Sequence, residues 1–177
     1  MEMAVTALLY KVLKDRYMIA RTHDYDDYIN GADNIIVDKE TGAVVCAFDE
    51  VHEGGMGDRQ REKEAKVQRV VKKGGANVRF GMHLNEGKLE RAKLEHLPMF
   101  YLGLNTGELE ELMNSMDYDP AASPSEVEMQ IYTKLVASLK QQVEDLAQVD
   151  APEKVRARLA DFKDSLIVLE SYTQPRE

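Results

Sequence analysis

Apolar residues at Val5, Leu8, Leu9, Val12 and Leu13 recur at intervals of three and four, which predicts an amphipathic helix within residues 3–20. The pattern then fails in "RTHDYDDYINGAD", where acids, aromatics and an Asn-Gly pair predict a loop. "NIIVD" and "AVVCAFDEVHE" are apolar and β-branched runs on either side of "KETG", so they read as two strands joined by a turn. "EGGMG" is a break. A helix follows from Asp58 to Lys73, with Ala65, Val67, Val70 and Val71 as its sparse apolar side, Asp58 as a cap and Gly74-Gly75 as its stop. "ANVRFGMHL" predicts another strand, followed by a turn at Asn85-Glu86-Gly87 and an extended segment. Beyond Pro98, "MFYLGLN" reads as a buried strand, and "TGELEELMNSM", with its threonine start and acidic first turn, as a helix.

"DYDPAASPSE" ends this mixed region with two prolines and several small residues. Beyond it, Val127, Ile131, Leu135, Leu139, Val143 and Leu146 form one stripe at helical spacing; Val155, Leu159, Phe162, Leu166 and Leu169 form a second. The short "DAP" between them predicts an antiparallel αα-hairpin. Helices interspersed with strands predict an α/β (α+β) fold, with a mixed central sheet flanked by helices. The expected organisation is a core domain over 1–116, a linker over 117–124 and a C-terminal helical hairpin over 125–177.

Composition narrows the function classes. With 44% hydrophobic and 31% charged residues the chain reads as a globular protein. No apolar run approaches the roughly 20 residues that span a bilayer. The N-terminus lacks the basic start and small-residue cleavage site of a signal peptide, so it is expected to belong to the fold. A single cysteine, Cys46, excludes an internal disulfide, and the cytoplasm is the expected location. The net charge of −9 argues against a broad nucleic-acid footprint, yet the Lys and Arg gather in the central third, which permits a local basic face. No P-loop, GxGxxG, HExxH or GxSxG motif occurs.

The remaining chemistry lies in "GADNIIVDKETGAVVCAFDEVHEG", residues 31–54. Antiparallel pairing around the turn brings Asp33 close to Asp49 and Glu50, within reach of one small ion. Mg²⁺ or Mn²⁺ suits such a group, because Mg²⁺ takes one or two carboxylates and fills its shell with waters and substrate phosphate. Glu50 and His52 share one strand face; Asp49 and Val51 share the other.

With these residues the sequence resembles the restriction-endonuclease-like superfamily, PD-(D/E)xK. "GAD" resembles the aspartate motif at the start of that family's second strand, and "FDEVHEG" the acid-x-lysine region of its third. The resemblance implies a core over residues 1–104, nuclease activity, and the roles of metal ligand for Asp33, second acid for Glu50 and lysine position for His52. No proline precedes Asp33, and a histidine stands in the place of the lysine. A histidine there acts as a base near neutral pH. A lysine from the next helix, Lys63 or Lys66, is the other source. In the alternative register Asp49 is the acid and Val51 stands at the lysine position, as in an inactive relative.

The expected catalytic set is therefore Asp33, Glu50 and His52, and the expected metal ligands are Asp33, Asp49 and Glu50. His23, Asp24, Asp26 and Asp27 are read as solvent-facing loop residues and His83 as a packing or surface residue. Tyr17, Tyr25 and Tyr28 are read as packing residues, with base stacking as a second role. Two functions follow: a metal-dependent nuclease, or an inactive relative with its fold, acting on nucleic acid; or a non-catalytic module that assembles, for instance as a homodimer, through its C-terminal helices.

Overall fold

A computed structural model of the protein describes residues 2–52, 58–117, 119 and 121–174. The described residues form a mixed α+β fold with two sheets. Helix α1 (Glu2–Leu13) buries Val5, Leu8, Leu9, Val12 and Leu13, the stripe read from the sequence, but it ends earlier than the 3–20 window. Strand β1 (Tyr17–Arg21) takes up the rest of that window, pairing along the outer side of β2. A second departure follows. Residues Asp24–Asn30 form helix α2 instead of a loop, capped at its start by His23 and closed by Gly31 in the left-handed conformation.

β2 (Asn34–Asp38) and β3 (Val44–His52) pair antiparallel, and β3 then pairs in parallel with β6 (Met99–Leu104), giving the order β1-β2-β3-β6. Parallel neighbours need a crossover. Here it runs through α3 (Asp58–Lys72) and a separate two-stranded sheet of β4 (Ala76–Asn85) and β5 (Lys88–Leu97). Gly74 and Gly75, both at positive φ, stop α3 as expected. The expected break at 53–57 and the capping side chain of Asp58 lie outside the described residues. Helix α4 (Thr106–Ser115) starts from an Asn105 capping box. α5 (Glu126–Ala147) starts from a Ser125 capping box, and α6 (Glu153–Ser171) follows it.

The period of two along the strands divides the sheet into two faces. Ile36, Cys46, Phe48, Phe100 and Leu102 face α1, α5 and α6 and share one apolar cluster with Leu135, Leu139, Phe162 and Leu169. The Phe100 and Phe162 rings lie 4.5 Å apart. Ile35, Val37, Ala47 and Met99 face the other way and pack with Ala76, Val78 and Leu97 of the small sheet. One core thus joins α1, the four-stranded sheet, α3 and α4 to α5 and α6, whose apolar stripes are buried in it. At the open edge of β6, Gln142 of α5 accepts from the Tyr101 N–H at 3.0 Å and donates to its C=O at 2.8 Å. Among the described residues, no helix is long and apolar enough to cross a membrane.

Candidate functional site

The register of β2 against β3 decides which acids meet. Val37 pairs with Val44, but Ile36 pairs with Cys46, so one residue is bulged out between them. The shifted ladder continues through Asn34 opposite Phe48, which sets Asp33 opposite Asp49. A bulge of one residue changes the face that each following residue presents to its partner.

Asp33 and Asp49 consequently share the face covered by α3. Asp33 continues the ladder with its side chain: its Oδ2 accepts from the Glu50 N–H at 2.7 Å, and its own N–H donates to the Phe48 C=O at 3.0 Å. Its carboxyl is pushed up to about 7. Burial is the first cause; the charge of Asp49 and the hydrogen-bonding carboxyl of Asp27 add to it, and the Glu50 N–H opposes them. Asp27, read from the sequence as a solvent-facing loop residue, is thus a neighbour of the site, because α2 itself was not legible there.

Asp49 is held by two cations. Lys63 and Lys66, one turn apart on α3, each place Nζ 2.7 Å from its Oδ2. Gly31 makes room for Lys66. A Cβ there would stand 2.1 Å from the Lys66 Nζ, and the backbone at φ +61° already favours glycine.

Glu50 lies on the opposite face. Its Oε1 accepts from Asn34 Nδ2 at 2.9 Å and from the Thr6 hydroxyl of α1 at 3.2 Å. The expected meeting of the Asp33 and Glu50 side chains is therefore replaced by a contact of Asp33 with the Glu50 backbone. His52 shares the Glu50 face, with Nε2 3.1 Å from the Thr106 hydroxyl. His83 is 3.9 Å from Glu90 across the small sheet.

Not all the acids of 24–27 face solvent. Asp26 is fully buried, and its carboxylate accepts from the N–H groups of Arg79 at 2.8 Å and Phe80 at 2.9 Å, and from Asn30 at 2.8 Å. Those consecutive N–H groups sit at a register shift in β4, so a side chain of α2 satisfies donors that the ladder leaves over. Tyr17 is core, as expected, whereas Tyr25 is 41% exposed and Tyr28 89% exposed.

Among the described residues no group of three or more His, Cys, Asp or Glu is set to hold a metal ion. Two carboxylates are nevertheless a sufficient protein donor set for Mg²⁺, which keeps several waters. The elevation at Asp33, to which the charge of Asp49 contributes, is what a nearby cation relieves. Two carboxylates of this kind are the donor type a hard divalent ion takes, while Asp49 Oδ2 already carries the Lys63 and Lys66 ammonium groups. Comparisons with models of known families, with curated proteins and with solved structures find no match to this chain, so any function assigned to it stands on this geometry.

Proposed function

We propose that the protein is a metal-dependent phosphodiester hydrolase acting on nucleic acid inside the cytoplasm, built on a restriction-endonuclease-like core with a C-terminal helical hairpin packed on it. The observation that carries this reading is the Asp33–Asp49 pair with Lys63 and Lys66 reaching Asp49 from α3. In this arrangement the ammonium group missing from the third strand comes from the following helix, and Asp49 replaces Glu50 as the second acid.

Asp33 and Asp49 would hold Mg²⁺ or Mn²⁺. The bound ion supplies charge stabilisation at the phosphate and a more acidic water. Asp33, near half-protonated at neutral pH, is poised to exchange its proton for that ion. Lys63 and Lys66 orient the Asp49 carboxylate and set positive charge beside the place where phosphate charge develops.

Titrating Mg²⁺ or Mn²⁺ while following thermal stability and the cleavage of labelled single- and double-stranded DNA and RNA tests the reading. Asp33→Ala and Asp49→Ala should each abolish both the thermal shift and cleavage. Glu50→Gln should keep the thermal shift. Lys66→Met should slow cleavage by about 10²–10⁴-fold. An ion-independent melting temperature with no substrate cut would reject the enzyme. That outcome would favour an inactive relative or binding module, a reading supported by the two ammonium groups that already neutralise Asp49.

A further inference from the structure

Beside the acid pair the protein displays aromatic rings that its core does not use. Tyr25 on α2 and Phe80 on β4 are 41% and 42% exposed, with ring centroids 5.9 Å apart and planes nearly perpendicular. The His23 ring lies 4.9 Å from Phe80. The Arg79 guanidinium is centred 5.5 Å from the Tyr25 ring and 5.4 Å from the Phe80 ring. Tyr28, one turn further along α2, is 89% exposed.

This cluster is held in place from below. Buried Asp26 takes the N–H groups of both Arg79 and Phe80, which locks α2, with Tyr25, to the bulge of β4 that carries Phe80 and Arg79. The same helix ends at Gly31, two residues before Asp33. Seven residues of helix span roughly 10 Å, so Tyr25 near the start of α2 and Asp33 just past its end are a short, rigid distance apart.

We infer that Tyr25, Phe80 and Arg79 form a stacking platform for unpaired bases of a single-stranded nucleic acid whose backbone continues to Asp33 and Asp49. The inference deepens the nuclease reading and rests on it for the choice of polymer. Aromatic rings with an interleaved guanidinium bind bases by their faces without reading sequence. In a duplex those faces are covered by neighbouring pairs, so the platform selects unpaired strands. Charge favours the same ligand on one side of the platform. Residues 58–97, which supply α3 and the small sheet bearing Phe80 and Arg79, hold eleven of the 23 Lys and Arg and only six of the 32 Asp and Glu. By contrast α2, which carries Tyr25, has three aspartates and no Lys or Arg. Lys63 and Lys66 stand at the Asp49 end of the path.

The test is fluorescence anisotropy with a labelled oligothymidine and a blunt duplex of equal length, in EDTA, on the full chain. Phe80→Leu and Tyr25→Leu, which keep apolar bulk and remove the ring face, should each weaken oligothymidine binding about 5–100-fold. Phe80→Tyr should restore it, and duplex binding should not change. Unchanged melting temperatures in the Leu variants separate lost stacking from lost folding. Wild-type-like oligothymidine binding by folded Phe80→Leu, equal loss on duplex, or no single-strand binding at all would overturn the platform. The two readings fail separately: ring-independent cleavage with Mg²⁺ refutes the platform alone, and ring-dependent binding without cleavage refutes the nuclease alone.

Discussion

Asp33 carries a carboxyl whose charged form the fold disfavours. Its folded carboxyl titrates near 7, against 3.8 for an unperturbed aspartate. The folded state therefore holds a proton that the unfolded chain has already released between those values. By linkage, the stability associated with this group is fully present below about pH 4 and is lost as pH rises through about 7. Asp33→Asn, which keeps an acceptor for the Glu50 N–H, should raise the melting temperature at pH 8 in EDTA. A gain of about 1–2 kcal/mol is expected, and it should vanish near pH 4. Thermal melts of both proteins across that range check this, and a difference that does not change with pH would contradict it. The acids themselves were legible in the sequence, and Lys63 and Lys66 were named there, but their pairing with Asp49 is seen only in the fold. The side chain that faces Asp33 was not legible. It depends on one bulged residue near the turn, and the apolar run "AVVCAF" gives no sign of which of its residues is extra.

Among the elements, the long helices were the most legible, because their apolar positions repeat over several turns. β1 and α2 were not. "YMIAR" continues the apolar tail of the first helix, and a strand of five residues carries too few periods to separate from it. α2 has only seven residues, three of them aspartate, and its burial comes from Asp26, a polar residue satisfied by backbone donors of β4. A second polar contact between elements is the pair of Lys11 on α1 and Glu128 on α5. The Lys11 Nζ stands 2.9 Å from both carboxylate oxygens, with Lys11 6% exposed and Glu128 fully buried. Glu128 also closes the Ser125 capping box, accepting from the Ser125 N–H. Lys11→Met should destabilise the protein by about 3–5 kcal/mol, since it strands a buried carboxylate. Adding Glu128→Gln should recover part of that loss. Denaturant unfolding of the single and double variants measures both, and a Lys11→Met protein as stable as wild type would show that the pair contributes little.

For the whole molecule, the linker at 117–124 looks like a domain boundary in the sequence, yet the apolar core passes across it. Removing α5 and α6 would expose Ile36, Phe48, Phe100 and Leu102 together. Each buried side chain of this size is worth about 1.5–3 kcal/mol, against a total stability of about 5–15 kcal/mol for a domain. A chain ending at residue 116 should therefore lack a cooperative thermal transition by circular dichroism. A sharp melt from that fragment would show that the mixed part folds alone. Composition could not reveal this, because an apolar stripe on a helix states only that it is covered, not by what.

The Gln142 clip on Tyr101 has a consequence of another kind. An edge strand with free backbone groups is a template on which a further strand can add, from a peptide or from a second copy of the chain. By occupying both the N–H and the C=O of Tyr101, α5 removes the central docking point of the β6 edge while leaving the sheet only four strands wide. A further strand is thereby kept from pairing at Tyr101, and a partner binding at that point would have to be met by helix rather than by strand.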